Sequence, residues 1–450
     1  MNNRINAGML IVLLVASIGC NASKENDIHK ASVEDNEKPS RKPTADEMLR
    51  AAGNGYISPA GVSKECLGRL VFDVGEPPEW PTSIGKDATY IFSSKFSEDM
   101  YDVGDKISID NVDIAVIGPI TSEPLERIRS GTPWAEIEWH NEYIVGQTEY
   151  LKRLRGNRGQ SASTQREIRE SEESLVQRKL VLKETKASYE DVAFSIPDSE
   201  GFWRTTQSRK DWPRYSVYRA YLKRGDFVFV FESAVELTKE VTKENHKQRL
   251  VDLLNNFRPR KANEIPTDLG VCIPHGFIAD KGELITDIKQ SMRWPDAPGV
   301  LYSLRTANST PQNNKAAFIT AIGTAMAAKT KSVDGVKPIL THQIGPRLTK
   351  IGGLPASQGG FAMRIDERGK KPFEVYNVFT GYSGWWGVAV LPYISVEMST
   401  RTMDQVSELK SNPPPFKQSM GRLEMLLRST HIRPTNPLMP DFAAIQQQPR

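Results

Sequence analysis

The sequence predicts an α+β fold of two mixed domains, each rich in sheet and each ending in a helix. Two observations carry this. First, two apolar strands are each followed by an amphipathic helix and then a proline. "FVFVFES" leads into "AVELTKEVTKENHKQRLVDLLNNF" and "FRPRKANEIP", and "WWGVAVLPYISVEM" leads into "FKQSMGRLEMLLRS" and "IRPTNPLMP". Second, Cys66 in "ECLGRLVFDV" and Cys272 in "GVCIPHGFIAD" each stand at the opening of an apolar stretch, as if at equivalent positions of two halves.

Taken in order, the chain opens with Arg4 and a short apolar run, "MLIVLLVASIG", that ends at Cys20. The run breaks at Ser17 and Gly19 and falls short of the ~20 apolar residues of a spanning helix, so it reads as an export signal over residues 1–19. Residues 20–46 mix Lys, Glu, Asp, Asn and Ser with almost nothing apolar and read as a disordered tether. An N-terminal α+β domain follows over 47–262, a C-terminal one over 266–433, and a Pro/Gln tail over 434–450. In the first domain "EIEWHNEYIVG", "DVAFSIP", "YSVYRAYLKRG" and "DFVFVFES" read as strands, the third with the alternation of a sheet that has one wet face. The charged stretch 149–184, interrupted by Gly156 and Gly159, reads as a loop leading into an exposed helix. Val241, Leu250, Leu253 and Leu254 fall on one face of the helix that closes this domain. In the second domain Phe318, Ile322 and Met326 mark an apolar helix over 313–331, and Met420, Leu423 and Leu427 mark the closing one.

A net charge of +4 over 450 residues, without a basic stripe interleaved with aromatics, excludes a nucleic-acid reading. No cofactor or metal pattern is present. The histidines at 29, 140, 246, 275, 342 and 431 never take the spacing that puts two imidazoles on one ion, and His275 beside Cys272 lacks a second ligand pair. "GYSGWWG" has Trp385 where a nucleophile elbow needs its second glycine, and "LPASQGG" has Pro355 at the first small position. No catalytic residues are assigned. Tyr382, Trp385 and Trp386, set among glycines, are candidate partner-binding residues, because exposed aromatics make contact hot spots; the alternative is that they fill the core. Cys66 and Cys272 are a candidate disulfide that would close a long loop and stabilise by up to on the order of 5 kcal/mol, the alternative being two separate buried thiols.

Ser17, Ile18 and Gly19 before Cys20 resemble the lipobox of bacterial lipoproteins, which implies that Cys20 is acylated; an ordinary signal peptide is the alternative. Asn21 next to it favours the outer membrane, facing the periplasm. Together with this lipobox and tether, "ECLGRLVFDV", "EPPEWP", "NNFRPR" and "GVCIPHGFIAD" resemble the type VI secretion lipase-immunity family of the fourth class, from Cys66 to Arg433. The resemblance implies a non-enzymatic periplasmic lipoprotein whose partners are a phospholipase effector protein and, through the N-terminal lipid, the membrane. Two domains gripping the effector would cover its substrate entrance. An envelope lipoprotein enzyme and a scaffold or solute-binding lipoprotein are the alternatives.

Overall fold

A computed structural model describes residues 43–53, 55–80, 105–118, 133–156, 161–206, 215–238, 242–308, 338–366, 371–385, 387–403, 406 and 409–446. Cys20, the signal and tether, Val241, the expected helix at 313–331 and Trp386 lie outside these residues.

Two short hairpins organise the first of two units. β1 (Ser63–Leu67) pairs with β2 (Leu70–Gly75) across a two-residue turn with Gly68 at φ 60°, the first central position that a type II′ turn reserves for glycine. β10 (Gly270–Ile273) pairs with β11 (Gly276–Ala279) across Pro274 and His275, with His275 at φ 59°, as in a type II turn with proline first. The hairpins meet directly: Gly68 and Cys272 exchange both backbone hydrogen bonds at 2.8 Å, and Cys66 and Cys272 are joined by a disulfide with 5.8 Å between their Cα atoms.

Each hairpin takes its third strand from the other half of the chain. Helix α4 (Lys243–Asn255) is followed by β9 (Phe257–Pro259), which pairs with β11 of the later hairpin. Helix α5 (Phe416–Ser429) is followed by β18 (His431–Ile432), which returns to β2 of the earlier one. Directly after each short strand comes an arginine in an equivalent place. Arg260 donates its backbone N–H to His275 O at 2.9 Å, and Arg433 donates its own to Arg69 O at 2.8 Å. Each side chain then crosses to the opposite hairpin. The Arg260 guanidinium pairs with Glu65 of β1 at 2.8 Å, both side chains being at most 2% exposed. Arg433 donates to Gly270 O at 2.8 Å, to Asp268 O at 2.9 Å and to Pro266 O. A second buried pair, Arg69 with Asp280, lies alongside, and Asp280 also accepts from the N–H groups of Gly282 and Leu284. Burial works against the Asp280 carboxylate, yet the Arg69 hydrogen bond and charge hold its pKa below the ordinary range.

This clasp sits against an antiparallel sheet with the order β14-β15-β16-β17-β13-β12-β3. Its strands are β3 (Lys106–Ile109), β12 (Thr286–Met292), β13 (Val300–Ala307), β14 (Ile339–Ile351), β15 (Leu354–Ile365), β16 (Phe373–Tyr382) and β17 (Tyr393–Thr400). Helix α5 buries Phe416, Leu423, Leu426 and Leu427 against one sheet face. Buried Tyr302 and Tyr376 fix it there, donating to Ser419 O at 2.9 Å and meeting Ser419 Oγ at 2.6 Å. Its N-terminus carries no side-chain cap of its own; the Glu374 carboxylate of β16 accepts from Phe416 N at 2.8 Å instead. Short helices α1 (Ala45–Ala51) and α6 (Pro440–Gln446) flank the unit.

The second unit holds β4 (Val112–Ile117), β5 (Tyr189–Asp191), β6 (Ser199–Thr206), β7 (Tyr215–Arg224) and β8 (Phe227–Glu236) in the order β4-β8-β7-β6-β5. Helix α4 covers one sheet face with Leu250, Leu253 and Leu254. On the other face Phe202, Tyr221, Val228 and Val230 cluster under Trp134, whose ring centroid lies 5.2 Å from that of Phe202. Trp134 belongs to α2 (Pro133–Gly156), which forms a helical hairpin with α3 (Ala162–Ala187). The hairpin closes on Leu151 and on Arg178, whose guanidinium lies 4.4 Å over the Trp139 ring and 4.6 Å over Tyr143.

The α+β class and the closing helices stand as the sequence predicts, and β7 and β8 form where expected. Four readings change, the first being that residues 149–156, expected in a loop, are the last turns of α2. "EIEWHNEYIVG" is part of α2 and not a strand, because Trp134, Ile137, His140, Ile144 and Leu151 repeat at helical spacing and turn toward the unit. "DVAFSIP" leaves the sheet after Asp191, since Ser195 at φ 55° and Asp198 at φ 52° turn the chain. β7 has no wet face; residues on both sides of it are buried. The units also divide the chain differently from a cut at 263–265. Among the described residues, 43–80, 105–110 and 256–446 belong to one unit and 111–255 to the other, because the 63–75 hairpin is bound to the later one.

Breaking one arm of the clasp exposes what holds it. Arg260→Met leaves the Glu65 carboxylate buried without its partner and is expected to cost about 3–5 kcal/mol, while Glu65→Leu with Arg260→Met together recover most of that loss. Denaturant midpoints of the three proteins check this; a single variant no less stable than the double removes the argument.

In the second unit the His246 imidazole lies between Ser216 Oγ at 3.0 Å and Ser233 Oγ at 2.8 Å. Burial first, and the Arg249 charge second, lower its pKa from 6.5 to about 4. A base with a folded pKa below its unfolded one leaves the unfolded chain binding more protons between the two values. Stability is therefore expected to fall as pH drops from about 6.5 to about 4, by roughly 3 kcal/mol, and His246→Gln to flatten that slope. An unchanged slope in the variant, measured by denaturation across this range, contradicts the assignment.

Candidate functional site

The loop that follows β16 was the place to look for exposed aromatics, and the structure turns its first one inward. Tyr382 ends β16 at 6% exposure, so it fills the core and offers no contact face. Trp385 is half-buried, and its backbone N–H donates to Leu391 O at 2.7 Å. The loop is closed further by Val388 N to Trp385 O and by Gly387 N to Asn308 O. Asn308 is itself buried and fixed to Thr286 N at 2.6 Å and to Leu284 O at 3.1 Å. Gly384 sits at φ 66°, where a Cβ would lie 2.3 Å from Tyr393 N, so the turn admits only glycine. Among Tyr382, Trp385 and Trp386, only Trp385 is thus a described side chain with exposed surface.

Neither serine motif forms a nucleophilic site. Ser383 lies in this closed turn, and Ser357 lies within β15, opposite Leu348 and Gly381. The contact of a serine with a histidine that nucleophilic catalysis requires occurs at His246, but Ser216, His246 and Ser233 are at most 4% exposed and no substrate atom reaches them. Among the described residues no three His, Cys, Asp or Glu side chains converge on a metal position. Cys66 and Cys272 are consumed by their disulfide.

What remains is surface. The sheet face that does not carry α5 bears a row of paired charges. Arg305 of β13 donates from Nε and Nη2 to the two oxygens of Asp287 on β12, at 2.9 and 3.0 Å, and Lys106 of β3 approaches the same carboxylate at 3.4 Å. The Arg305 guanidinium lies 5.6 Å from the Tyr393 ring centroid. Burial alone would lower its pKa; the hydrogen bond and charge of Asp287 keep it raised. Asn377 donates to Glu397 at 2.8 Å on the neighbouring strands. Such cross-strand pairs present fixed, half-buried polar groups and an aromatic ring, a composition suited to contact. At the sheet edge β14 is exposed over most of its length, with Leu348 at 88%. Sequence reasoning missed both surfaces: the ladder is assembled from residues of distant strands, and no local pattern marks β14 as the strand at the sheet edge.

Residues 264–435 match the family model of the C-terminal domain of Tle cognate immunity protein 4. These residues are therefore similar to the immunity-protein domain of the family that the sequence resembles. The apo structure of the immunity protein TplEi of the type VI secretion system from Pseudomonas aeruginosa is 15% identical, with a TM-score of 0.46, over 84% of this chain and 98% of that one. A structure described as the Tle4-Tli4 complex is also 15% identical, with a TM-score of 0.49, over 84% of this chain and 100% of the other. No curated protein matches the chain.

Proposed function

We propose that this chain is an immunity protein that binds and inhibits a type VI secretion phospholipase effector in the periplasm. The observation that carries the proposal is the match of residues 264–435 to the immunity-protein domain. The surfaces support it: a half-buried ladder of Arg305, Asp287, Tyr393 and Glu397 and an exposed edge strand are means of gripping a protein, and the serine–histidine contact present is sealed from substrate. Inhibition then proceeds by occlusion. Contacts from both units cover the substrate entrance of the lipase, and burying a standard interface of roughly 1,600 Å² excludes lipid without any chemistry on the effector. Cys20, acylated behind residues 1–19, holds the protein at the outer membrane, where a lipase arriving in the periplasm first meets its substrate.

Two experiments test this. The chain from Met48 to Arg433 is titrated into the purified lipase encoded beside its gene while phospholipid hydrolysis is followed. Activity is expected to fall to background near one equivalent and to return on dilution, because contact inhibition follows occupancy. Full hydrolysis at several-fold excess, or lipid hydrolysis by the chain itself, contradicts the proposal. For the anchor, Cys20→Ser is expected to move the protein from the membrane fraction to the soluble fraction, and retention in the membrane fraction refutes acylation.

A further inference from the structure

We infer that the last five residues of β14, Arg347 to Ile351, form a docking edge on which an acidic, extended segment of the effector adds as a further strand. The inference rests on the immunity reading and names the mode of contact.

Among the described residues β14 pairs with β15 alone and stands at the end of the sheet order, so every second residue turns its N–H and C=O away from the sheet. Natural edges are blunted by bulges, prolines and charge, and β14 uses these devices unevenly. Register shifts fall between Leu340 and His342 and between Ile344 and Arg347, and Pro346 removes a donor within the second. Beyond it the ladder runs without interruption, Arg347 opposite Gln358 through Ile351 opposite Leu354. This regular stretch exposes Leu348 at 88%, an apolar side chain that protects nothing where it is.

The stretch is held ready. Ile351 is fully buried, and Gly352 in the following turn donates its N–H to Leu427 O of α5 at 2.7 Å. A Cβ on Gly352 would fall 1.7 Å from Thr430 O, so the turn is seated directly on the helix end. At the other end of the stretch, Arg347 donates from Nε and Nη2 to Gln358 Oε1 at 3.0 and 2.7 Å, which fixes its guanidinium. An edge ordered in advance binds an added strand at little entropic cost.

Charge selects the occupant. Neither β14 nor β15 contains an Asp or Glu, while they carry His342, Arg347, Lys350 and Arg364. At the start of β14 Thr341 meets the Glu374 carboxylate, so among the described residues the cationic part without a carboxylate beside it is the end bearing Arg347 and Lys350. Main-chain hydrogen bonds to the edge supply affinity, an apolar residue against Leu348 supplies register, and carboxylates near Lys350 and Arg347 supply specificity.

The test uses the full-length chain with the purified lipase encoded beside its gene. Wild type is measured first; absence of binding there refutes the immunity reading itself. Given wild-type binding, Leu348→Glu and Lys350→Glu, each on an exposed side chain and expected to melt as wild type does, should each raise Kd at least tenfold, and Lys350→Glu should weaken the salt dependence. Amide hydrogen exchange in the complex should slow within residues 347–351. Wild-type Kd in both variants with unchanged exchange at 347–351 overturns the inference, as does protection of this stretch in the chain alone through self-association.

Discussion

Two buried arginines, each crossing from one half of the chain to the hairpin of the other, are the constraint on which the first unit depends. Arg260 and Arg433 occupy equivalent positions after β9 and β18, bond the same place in their hairpin turns, and reach Glu65 and Gly270 respectively. Burying a guanidinium is costly, and each arginine offsets the cost by fixing backbone carbonyls or a carboxylate around its terminal nitrogens, while the Nε of each stays buried without a hydrogen-bond partner. Burial, and then the like charge of Arg69, push the Arg433 pKa down to about 10, still cationic at neutral pH. The disulfide between Cys66 and Cys272 adds a covalent link at the point where the hairpins already share backbone hydrogen bonds.

From that clasp the rest of the unit follows. β18 can reach β2 only if α5 ends beside the hairpin, and Asp73 N donating to Ser429 Oγ at 3.0 Å holds the last turn of α5 there. The helix in turn seats the turn after β14 and covers one sheet face; on the other face Arg305 and Asp287 keep partial exposure, and among the described residues β14 pairs with β15 alone. The other face carries polar groups fixed by cross-strand pairs, while the buried ion pairs and the disulfide are concentrated in the clasp.

Much of this was legible in the sequence, for physical reasons. Leu250, Leu253, Leu254, Leu423 and Leu427 mark the buried faces of α4 and α5 because a helix that covers a sheet must repeat its apolar residues at its own period. Cys66 and Cys272 stand alike at the opening of apolar stretches, which suggests equivalent positions of two halves; the hairpins that hold them, and the contact between these, carry no such mark. What failed did so through competing local patterns. Around Trp139 and Tyr143 a strand-like alternation overlies a helical repeat, and the long repeat wins. Tyr382 looks like a contact residue among glycines but ends a buried strand. The exchange of third strands between halves was invisible, since pairing over such separations leaves no local trace. For the same reason the cut at 263–265, reasonable from composition, divides residues that the fold binds together.

The segment matched by the family, residues 264–435, contains β10, β11 and β18 but neither β9 nor the 63–75 hairpin that these strands pair with. The most direct measurement is therefore to produce residues 264–435 alone and residues 43–446 whole, and to compare their urea unfolding under oxidising conditions. A first unit built on the reciprocal clasp predicts that the shorter chain shows no cooperative transition, because Arg433, β18 and the β11 edge have lost their partners, while the longer one unfolds cooperatively. A cooperative transition for 264–435 with a midpoint matching that of the whole chain would contradict it.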